Sequence, residues 1–362
     1  MKMKILKTRS LPIGIDIGSA YIKVVQFQQN EDKLELIAAA RMSIPVQCRD
    51  APDKKMDLLA EFLRGILKEQ GFRGKRCIIS IPASETFLQH IKTARVSPDR
   101  LDDTLRWELQ GKLPFDTNDA IIRHIVVGEV HNEREIGLEV IVVAVQRETV
   151  DRYLKMASDS KLDVIGINVE PCAILECFGR FLRRQEDRQR ATLFLDLGRS
   201  STQVVISHGS KMVFARNIMF GADRIDAAAA SALNMSLEDI GILREKCLVS
   251  DKKAEQGIEV FYDAIGEVIE EEVREIKKSL QYYDSIFPTK PVQRAIFLGG
   301  QAMDKQFCQM IAKRLNLPSQ IGDPFVRTAI AAENKEVDVL QTRPMWAVAV
   351  GLSVGEKVKN VA

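Results

Sequence analysis

Little in this sequence points toward metal or redox chemistry. Its six cysteines, Cys48, Cys77, Cys172, Cys177, Cys247 and Cys308, form no Cys-x-x-Cys pair, which excludes a zinc knuckle or a dithiol motif. Scattered thiols fit a reducing compartment, where cysteine behaves as a small core residue. The four histidines, His90, His124, His131 and His208, have neither metal-ligand spacing nor a neighbouring catalytic partner, and read as isolated strand or surface residues. An excess of one charge is missing too: the formal net charge of +2 gives no strong pull toward nucleic acid or membrane. No apolar run is long enough to span a bilayer, and the longest, at 140–145 and 227–233, read as a buried strand and a helix face. The basic start, Met1-Lys-Met-Lys-Ile-Leu-Lys, lacks an apolar core and cleavage site, so it reads as a solvated tail, not a secretory signal. What remains is the composition of a cytoplasmic globular protein, 46% hydrophobic and 28% charged, with 362 residues to fill two or three domains.

Two segments are variations on one theme. Leu11-Pro-Ile-Gly-Ile-Asp16-Ile-Gly18-Ser19 runs into Tyr21-Ile-Lys23-Val-Val, and Leu193-Phe-Leu-Asp196-Leu-Gly198-Arg-Ser200-Ser201-Thr202 runs into Gln203-Val-Val-Ile. Each is an apolar strand ending in Asp-x-Gly, a polar turn and a returning strand. Such a turn leaves backbone N–H groups without ladder partners, and these suit phosphate oxygens. The adjacent Asp is placed to hold Mg²⁺ through water, because that ion keeps much of its hydration. Lys23, on the first return strand, is placed to neutralise phosphate charge. One Asp-Gly hairpin is ordinary; two suggest a duplicated domain with a nucleotide clamped between the halves.

Between and around the hairpins, strands alternate with helices. A strand at 33–44 and a helix at 52–70, with Met56, Leu59, Leu63 and Ile66 on one face, lead to a buried strand at 76–82. Residues 85–161 differ in character. A strand at 87–92 precedes a helix opened by Ser97-Pro98, with Leu101, Leu105 and Leu109 at i, i+4 and i+8. Strands at 120–130 and 138–146 and a helix at 148–160 follow, predicting an insertion with its own core. A strand ending at Glu170-Pro171 returns to the main sheet. The charged run at 183–190 reads as an interdomain linker, and acidic residues interrupt it too often for a nucleic-acid patch. Ser236, with Asp239 three residues on, predicts a helix cap. Residues 257–286 read as one long solvated outer helix, including Glu270, Glu271 and Glu272. A buried strand at 294–298 ends in Gly299-Gly300, and the apolar stretch at 345–352 is expected to pack back on the core.

The order Asp16-x-Gly18-Ser19…Lys23, Glu170-Pro171, Asp196-x-Gly198…Thr202 and Leu298-Gly299-Gly300-Gln301-Ala302 resembles the actin-like ATPase superfamily of actin, Hsp70 and hexokinase. Within it the chain is similar, nearly end to end, to the PilM family of type IV pilus assembly proteins, with FtsA a more distant relative. Trp107-Glu108 before Lys112-Leu-Pro114-Phe115, Val142 to Asp151, Val169-Glu170-Pro171 and Asp323-Pro324-Phe325 carry that similarity. It implies an α/β fold of duplicated actin-like (ribonuclease H-like) domains with an inserted 1C-type (SHS2-like) α+β subdomain. The implied division is subdomain 1A at 1–84, 1C at 85–161, a return to 1A and linker at 162–190, 2A at 191–215, 2B at 216–289, 2A again at 290–340, and a C-terminal helix on 1A at 341–362.

The resemblance also implies ATP with Mg²⁺, contacted by Asp16, Gly18, Ser19, Lys23, Asp196, Gly198, Ser200, Ser201, Thr202, Gly221, Gly299, Gly300 and Gln301. Asp16 and Asp196 would hold the metal through water, and Glu170 would orient or activate the attacking water. Ala222, Gly241 and Gln301 depart from the family's adenosine side, with Arg244 where relatives often carry a lysine; binding chiefly through the phosphates is expected. The implied role is a cytoplasmic scaffold that hydrolyses ATP slowly if at all. Its partner would be the cytoplasmic N-terminal peptide of a PilN-like inner-membrane protein, bound within 85–161, alongside other pilus assembly proteins. There the Trp107 to Phe115 stretch is either core or the wall of a peptide groove. Self-association stays open.

Two other readings share the fold. An FtsA-like filament needs a C-terminal amphipathic anchor, whereas Gly355-Glu-Lys-Val-Lys-Asn-Val-Ala362 follows directly on the last apolar helix, so membrane contact is expected only through a partner, at the inner membrane. A small-molecule kinase needs a base for the acceptor hydroxyl, and no Asp outside the hairpins has that placement. A type II secretion or competence scaffold fits the motifs as well as a pilus does.

Overall fold

The structure, a computed structural model, describes residues 9–31, 33–49, 51–131, 136–182, 184–249, 256–330 and 339–355. The basic start at 1–8, the charged turn at 132–135 and the tail at 356–362 lie outside those residues. The chain divides into two compact units, Met1–Leu182 with Asp323–Ala362, and Arg183–Gly322.

In the first unit, β1 (Arg9–Ser10) and β2 (Ile13–Ile17) pair antiparallel with β3 (Tyr21–Asn30), which also pairs with β4 (Lys33–Ser43). A short helix, α1 (Val46–Arg49), leads to α2 (Pro52–Glu69), which turns Met56, Leu59, Leu63 and Ile66 into the core. β5 (Arg76–Ile81) then lies parallel to β2.

The insertion follows. β6 (Phe87–Ala94), α3 (Pro98–Glu108), β7 (Ala120–His131) and β8 (Ile136–Gln146) build a three-stranded antiparallel sheet, order β6-β8-β7, beneath one helix. Leu101, Leu105 and Leu109 pack on Ile91, Val140, Val142 and Ala144, as the helical spacing required. Phe115 joins that core, but Trp107 is 71% exposed and does not. The next helix, α4 (Arg147–Asp159), was expected to close the insertion. Instead its Val150, Tyr153, Met156 and Ala157 join the main core with Ile13, Ile15, Leu59 and Leu63. The insertion's own core therefore ends near Gln146, because α4 turns its apolar face to α2 and the main sheet. β9 (Asp163–Val169) runs parallel to β5, and α5 (Glu170–Gly179) follows it directly.

The second unit opens inside the charged run read as a linker, where α6 (Gln185–Gln189) already belongs to this unit. β10 (Ala191–Leu197), β11 (Thr202–His208) and β12 (Lys211–Ile218) form an antiparallel meander. Helices α7 (Ala222–Leu233) and α8 (Leu237–Val249) come next, and the Ser236 hydroxyl accepts from the Asp239 N–H at 3.1 Å, the expected cap. The predicted single outer helix is two, α9 (Gln256–Ala264) and α10 (Gly266–Ile286), separated at Ile265, whose ψ of 1° leaves helical geometry. Glu272 of α10 points inward and is 1% exposed, so the triple-Glu run is not uniformly solvated. β13 (Val292–Leu298), α11 (Lys305–Leu315) and β14 (Ser319–Ile321) complete the unit.

The chain then returns to the first unit. β15 (Thr328–Ile330) pairs parallel with β4, so the stretch expected in the second half through residue 340 is split at Gly322. The last helix, α12 (Ala347–Val354), packs on α5 and β2 as expected.

The duplication is visible in topology. Order and direction run β4-β3-β2-β5-β9 in one sheet and β12-β11-β10-β13-β14 in the other, each an antiparallel meander continued by two parallel strands.

Candidate functional site

Both hairpin turns close in the same way. The Gly18 N–H donates to the Tyr21 carbonyl at 2.9 Å, and the Gly198 N–H donates to the Ser201 carbonyl at 2.9 Å. These two glycine amides are therefore spent inside the turns and are not offered to phosphate, as the sequence reading had them. Among the described residues, the amides of Ser19, Ala20, Arg199 and Ser200 donate to no backbone carbonyl. They are the donors a phosphate would meet.

In the first unit Asp16 sits directly across from Lys23, and Lys23 Nζ is 2.5 Å from Asp16 Oδ2. Ser80 of β5 donates its hydroxyl to Asp16 Oδ1 at 3.2 Å, and Lys23 also donates to the Met345 carbonyl at 3.0 Å. Asp16 is only 2% exposed, sealed on both oxygens, and not open to a hydrated metal as expected. Ser80 escaped the sequence reading; a lone hydroxyl inside the apolar run Cys77-Ile-Ile-Ser80-Ile was its one signal. Glu170 begins α5 just beyond β9. The parallel register Ile15, Ile79, Ile167 puts it at the same sheet end as Asp16, where open α/β sheets bind ligands.

In the second unit the turn docks on the start of α7. Ala222 and Asp223 donate their N–H groups to the Gly198 and Arg199 carbonyls at 3.2 and 2.9 Å. Gly221 is required by this contact, since a Cβ there would lie 2.5 Å from the Arg199 oxygen. Parallel pairing of Asp196 with Leu298 brings the glycine turn alongside. Gly299 has φ of 85°, and a Cβ on it would lie 2.3 Å from Asp196 Oδ1. Its missing side chain thus makes room for Asp196 rather than for a flat base, and only Gly300 faces open space. Ser200 and Ser201 lie in the turn. Gln301 Oε1 is buried with no hydrogen-bond partner.

Thr202 is not a phosphate ligand. It is fully buried, and its hydroxyl donates to Glu272 Oε1 at 2.8 Å. Burial raises the Glu272 carboxyl to about 7, against a partial pull downward from Thr202. Asp196 is partly exposed and remains the carboxylate suited to water-bridged Mg²⁺. Among the described residues no group of three or more His, Cys, Asp or Glu side chains could hold a metal directly.

Three of the histidines are not isolated as expected: His90 pairs with Glu139 at 2.7 Å, His124 with Asp102 at 2.9 Å, and His208 with Tyr283 at 2.7 Å, while the His131 side chain lies outside what the structure describes. Burial lowers His208 to about 4. Burial also pushes the thiols of Cys77, Cys172 and Cys177 up to about 12, in keeping with core cysteines.

Two units that repeat one strand order, each with an Asp-x-Gly hairpin joining two inner strands of its sheet, define an actin-like ATPase fold. Solved structures share it: MreB5 of Spiroplasma citri bound to ADP (12% identity, 96% of each chain, TM-score 0.50) and the ethanolamine utilization protein EutJ from Carboxydothermus hydrogenoformans (13%, 96% of this chain and 89% of that one, TM-score 0.55). A structure of a PilM-PilN type IV pilus biogenesis complex is similar at 22% identity over 95% of this chain and 98% of that one, TM-score 0.78. The family described as type IV pilus assembly protein PilM matches residues 14–357, and the chain belongs to it. No helix among the described residues is long and apolar enough to cross a membrane.

Proposed function

We propose that this protein is a nucleotide-binding scaffold of type IV pilus assembly that engages the cytoplasmic N-terminal tail of a PilN-like inner-membrane protein. The observation that carries the nucleotide reading is the pair of identically closed hairpin turns, one per unit, each presenting two amides without carbonyl partners. Each hairpin by itself presents amides that suit phosphate oxygens. Lys23 would exchange its Met345 carbonyl for a phosphate oxygen, and Asp196 would hold a metal through water. Bound Mg²⁺ would supply charge neutralisation to the phosphates. Glu170, at the start of α5 beside Pro171, would orient a water.

Asp196→Ala is expected to weaken Mg²⁺-ATP by about ten- to a hundredfold, roughly 1–3 kcal/mol, as a charge-assisted contact is lost. Isothermal titration of both proteins decides it. Equal affinities, or no binding by the wild type, would make the hairpins inherited architecture only.

The partner reading rests on membership of the PilM family, and the similar PilM-PilN complex supports it. A short segment docked on a preformed surface is a common recognition mode. The insertion is our choice for that surface because its Trp107 is exposed on α3 beside a well-packed core. A synthetic tail should bind the wild type at micromolar concentration and Trp107→Ala about tenfold more weakly, as expected for a truncated aromatic anchor. Wild type that fails to bind at high micromolar concentration would remove the partner reading; an unaffected variant would move the surface elsewhere. Through that partner the protein would be peripheral to the inner membrane.

A further inference from the structure

The insertion joins the main sheet of the first unit by two chain crossings, and one carboxylate ties the two together. On the way in, β5 carries Ser80 beneath Asp16, ends at Ile81 and passes through Pro82 into a single turn at Ala83–Glu85 before β6 begins. On the way out, β8 ends at Gln146 and α4 starts at once. Glu85 of the entering turn accepts from two side chains of α4. Arg152 Nη2 donates to Oε2 and the Tyr153 hydroxyl donates to Oε1, both at 2.7 Å, so each carboxylate oxygen is engaged. Arg152 Nη2 also donates to Thr149 Oγ1 at 3.2 Å. The entering turn is closed by its own bonds: the Glu85 N–H and the Thr86 hydroxyl both donate to the Pro82 carbonyl at 3.0 Å.

The surroundings give this junction its weight. Insertion and main sheet have separate apolar cores, and of the described insertion residues Ile121 and Val145 are the two that reach the main one. Apolar contact is non-directional, so a seat of two side chains fixes little of the insertion's tilt. Charge-assisted hydrogen bonds are directional and stronger than neutral ones. Tyr153 is fully buried, and burial followed by the Glu85 charge holds its hydroxyl well above the ordinary range, so it stays a donor. Without Glu85 that hydroxyl would be buried with no acceptor. Arg152, whose Nε is already buried without a partner, would lose its carboxylate as well.

We propose that Glu85 is a latch that binds the entering turn to α4 and so sets the pose of the insertion, residues 86–146, on the main sheet. Neither apolar core includes the carboxylate, so its release frees the insertion to move as a body while both cores stay folded. The latch stands on the contacts above. That the pose matters to a partner, because Trp107 rides on the insertion, rests on the preceding reading.

The test uses the full chain with spin labels on two exposed residues, Glu61 of α2 and Asp103 of α3, attached through unnatural amino acids so that the native cysteines stay in place. Wild type should give one narrow distribution of label distances. Glu85→Ala should broaden it, and Tyr153→Phe, which removes a single hydroxyl, should broaden it less. The double variant should match Glu85→Ala, because both substitutions act through one contact. Amide hydrogen exchange in Glu85→Ala should rise about tenfold at residues 85 and 86 and stay unchanged at Val140 and Val142 in the insertion's core. An unchanged distance distribution would overturn the proposal. So would exchange that rises through the insertion's core, since the carboxylate would then belong to its fold. If Glu85→Ala does not melt cooperatively, Tyr153→Phe carries the same comparison. Neither measurement involves a partner, so a tail that fails to bind removes the partner reading and leaves the latch to be decided by these results.

Discussion

Replacing Gly351 with alanine should destabilise the first unit by at least about 3 kcal/mol, well beyond an ordinary helix substitution. Helix α12 is wedged between α5 and β2, and two glycines let it approach. A Cβ on Gly351 would lie 1.8 Å from the Ala173 carbonyl oxygen, and one on Gly14 would lie 2.2 Å from the Ala349 oxygen. These obstacles are backbone, not the far end of a flexible side chain, so relief requires α12 to move as a whole. Such a shift would disturb the Ser353 hydroxyl bond to the Pro12 carbonyl, 2.7 Å, and the support beneath the strand that carries Asp16. Gly65 is the control: nothing lies within 4 Å of its added Cβ, and alanine there should be neutral or stabilise α2 by up to about 1 kcal/mol. Denaturant unfolding of the two variants checks the pair. A Gly351→Ala protein as stable as Gly65→Ala would contradict the wedge.

The second large effect is a dependence on pH. Glu272 is raised from 4.5 to about 7 by burial, so the folded protein holds that proton more tightly than the unfolded chain does. The stability this provides is fully present below about pH 4.5 and is lost as pH rises through about 7. The shift corresponds to roughly 3 kcal/mol between those limits at about 1.4 kcal/mol per unit. Glutamine keeps an acceptor for the Thr202 hydroxyl and cannot ionise. Glu272→Gln should therefore match the wild type near pH 5 and exceed it at pH 8 by about 3 kcal/mol at most. Unfolding measured at both values tests this, and a stability difference that does not change with pH would refute it.

Much of the fold was legible in the order of residues, and the reason is local. The strand and helix spans follow from apolar periodicity, as in Leu101, Leu105 and Leu109, and from cap chemistry, as at Ser236. The two Asp-x-Gly segments were legible as turns, because a glycine between strand and polar turn has few alternatives, whereas the hydrogen bond that closes each was not. Residues that act through sequence neighbours were found; those that act through distant strands were not. Ser80 reaches Asp16 from sixty-four positions away, and a lone hydroxyl in an apolar run does not say which distant group it meets.

Of the site, the chain's own order carried the residue types and their approximate place: two acidic hairpins, a Glu-Pro helix start and a glycine pair. Direction was decided in three dimensions. Thr202 follows a phosphate-like turn yet points into the core, because alternation along β11 sends it toward Glu272. Gly299 reads as room for a ligand, but parallel pairing of β10 with β13 fills that room with Asp196. Helix α4 adjoins the insertion in sequence and packs on the main sheet instead, and β15 crosses back to β4 across a unit boundary that composition does not mark. Periodicity tells which face of an element is apolar, whereas burial against a particular neighbour depends on long-range pairing, and that pairing exists only once the sheets are assembled.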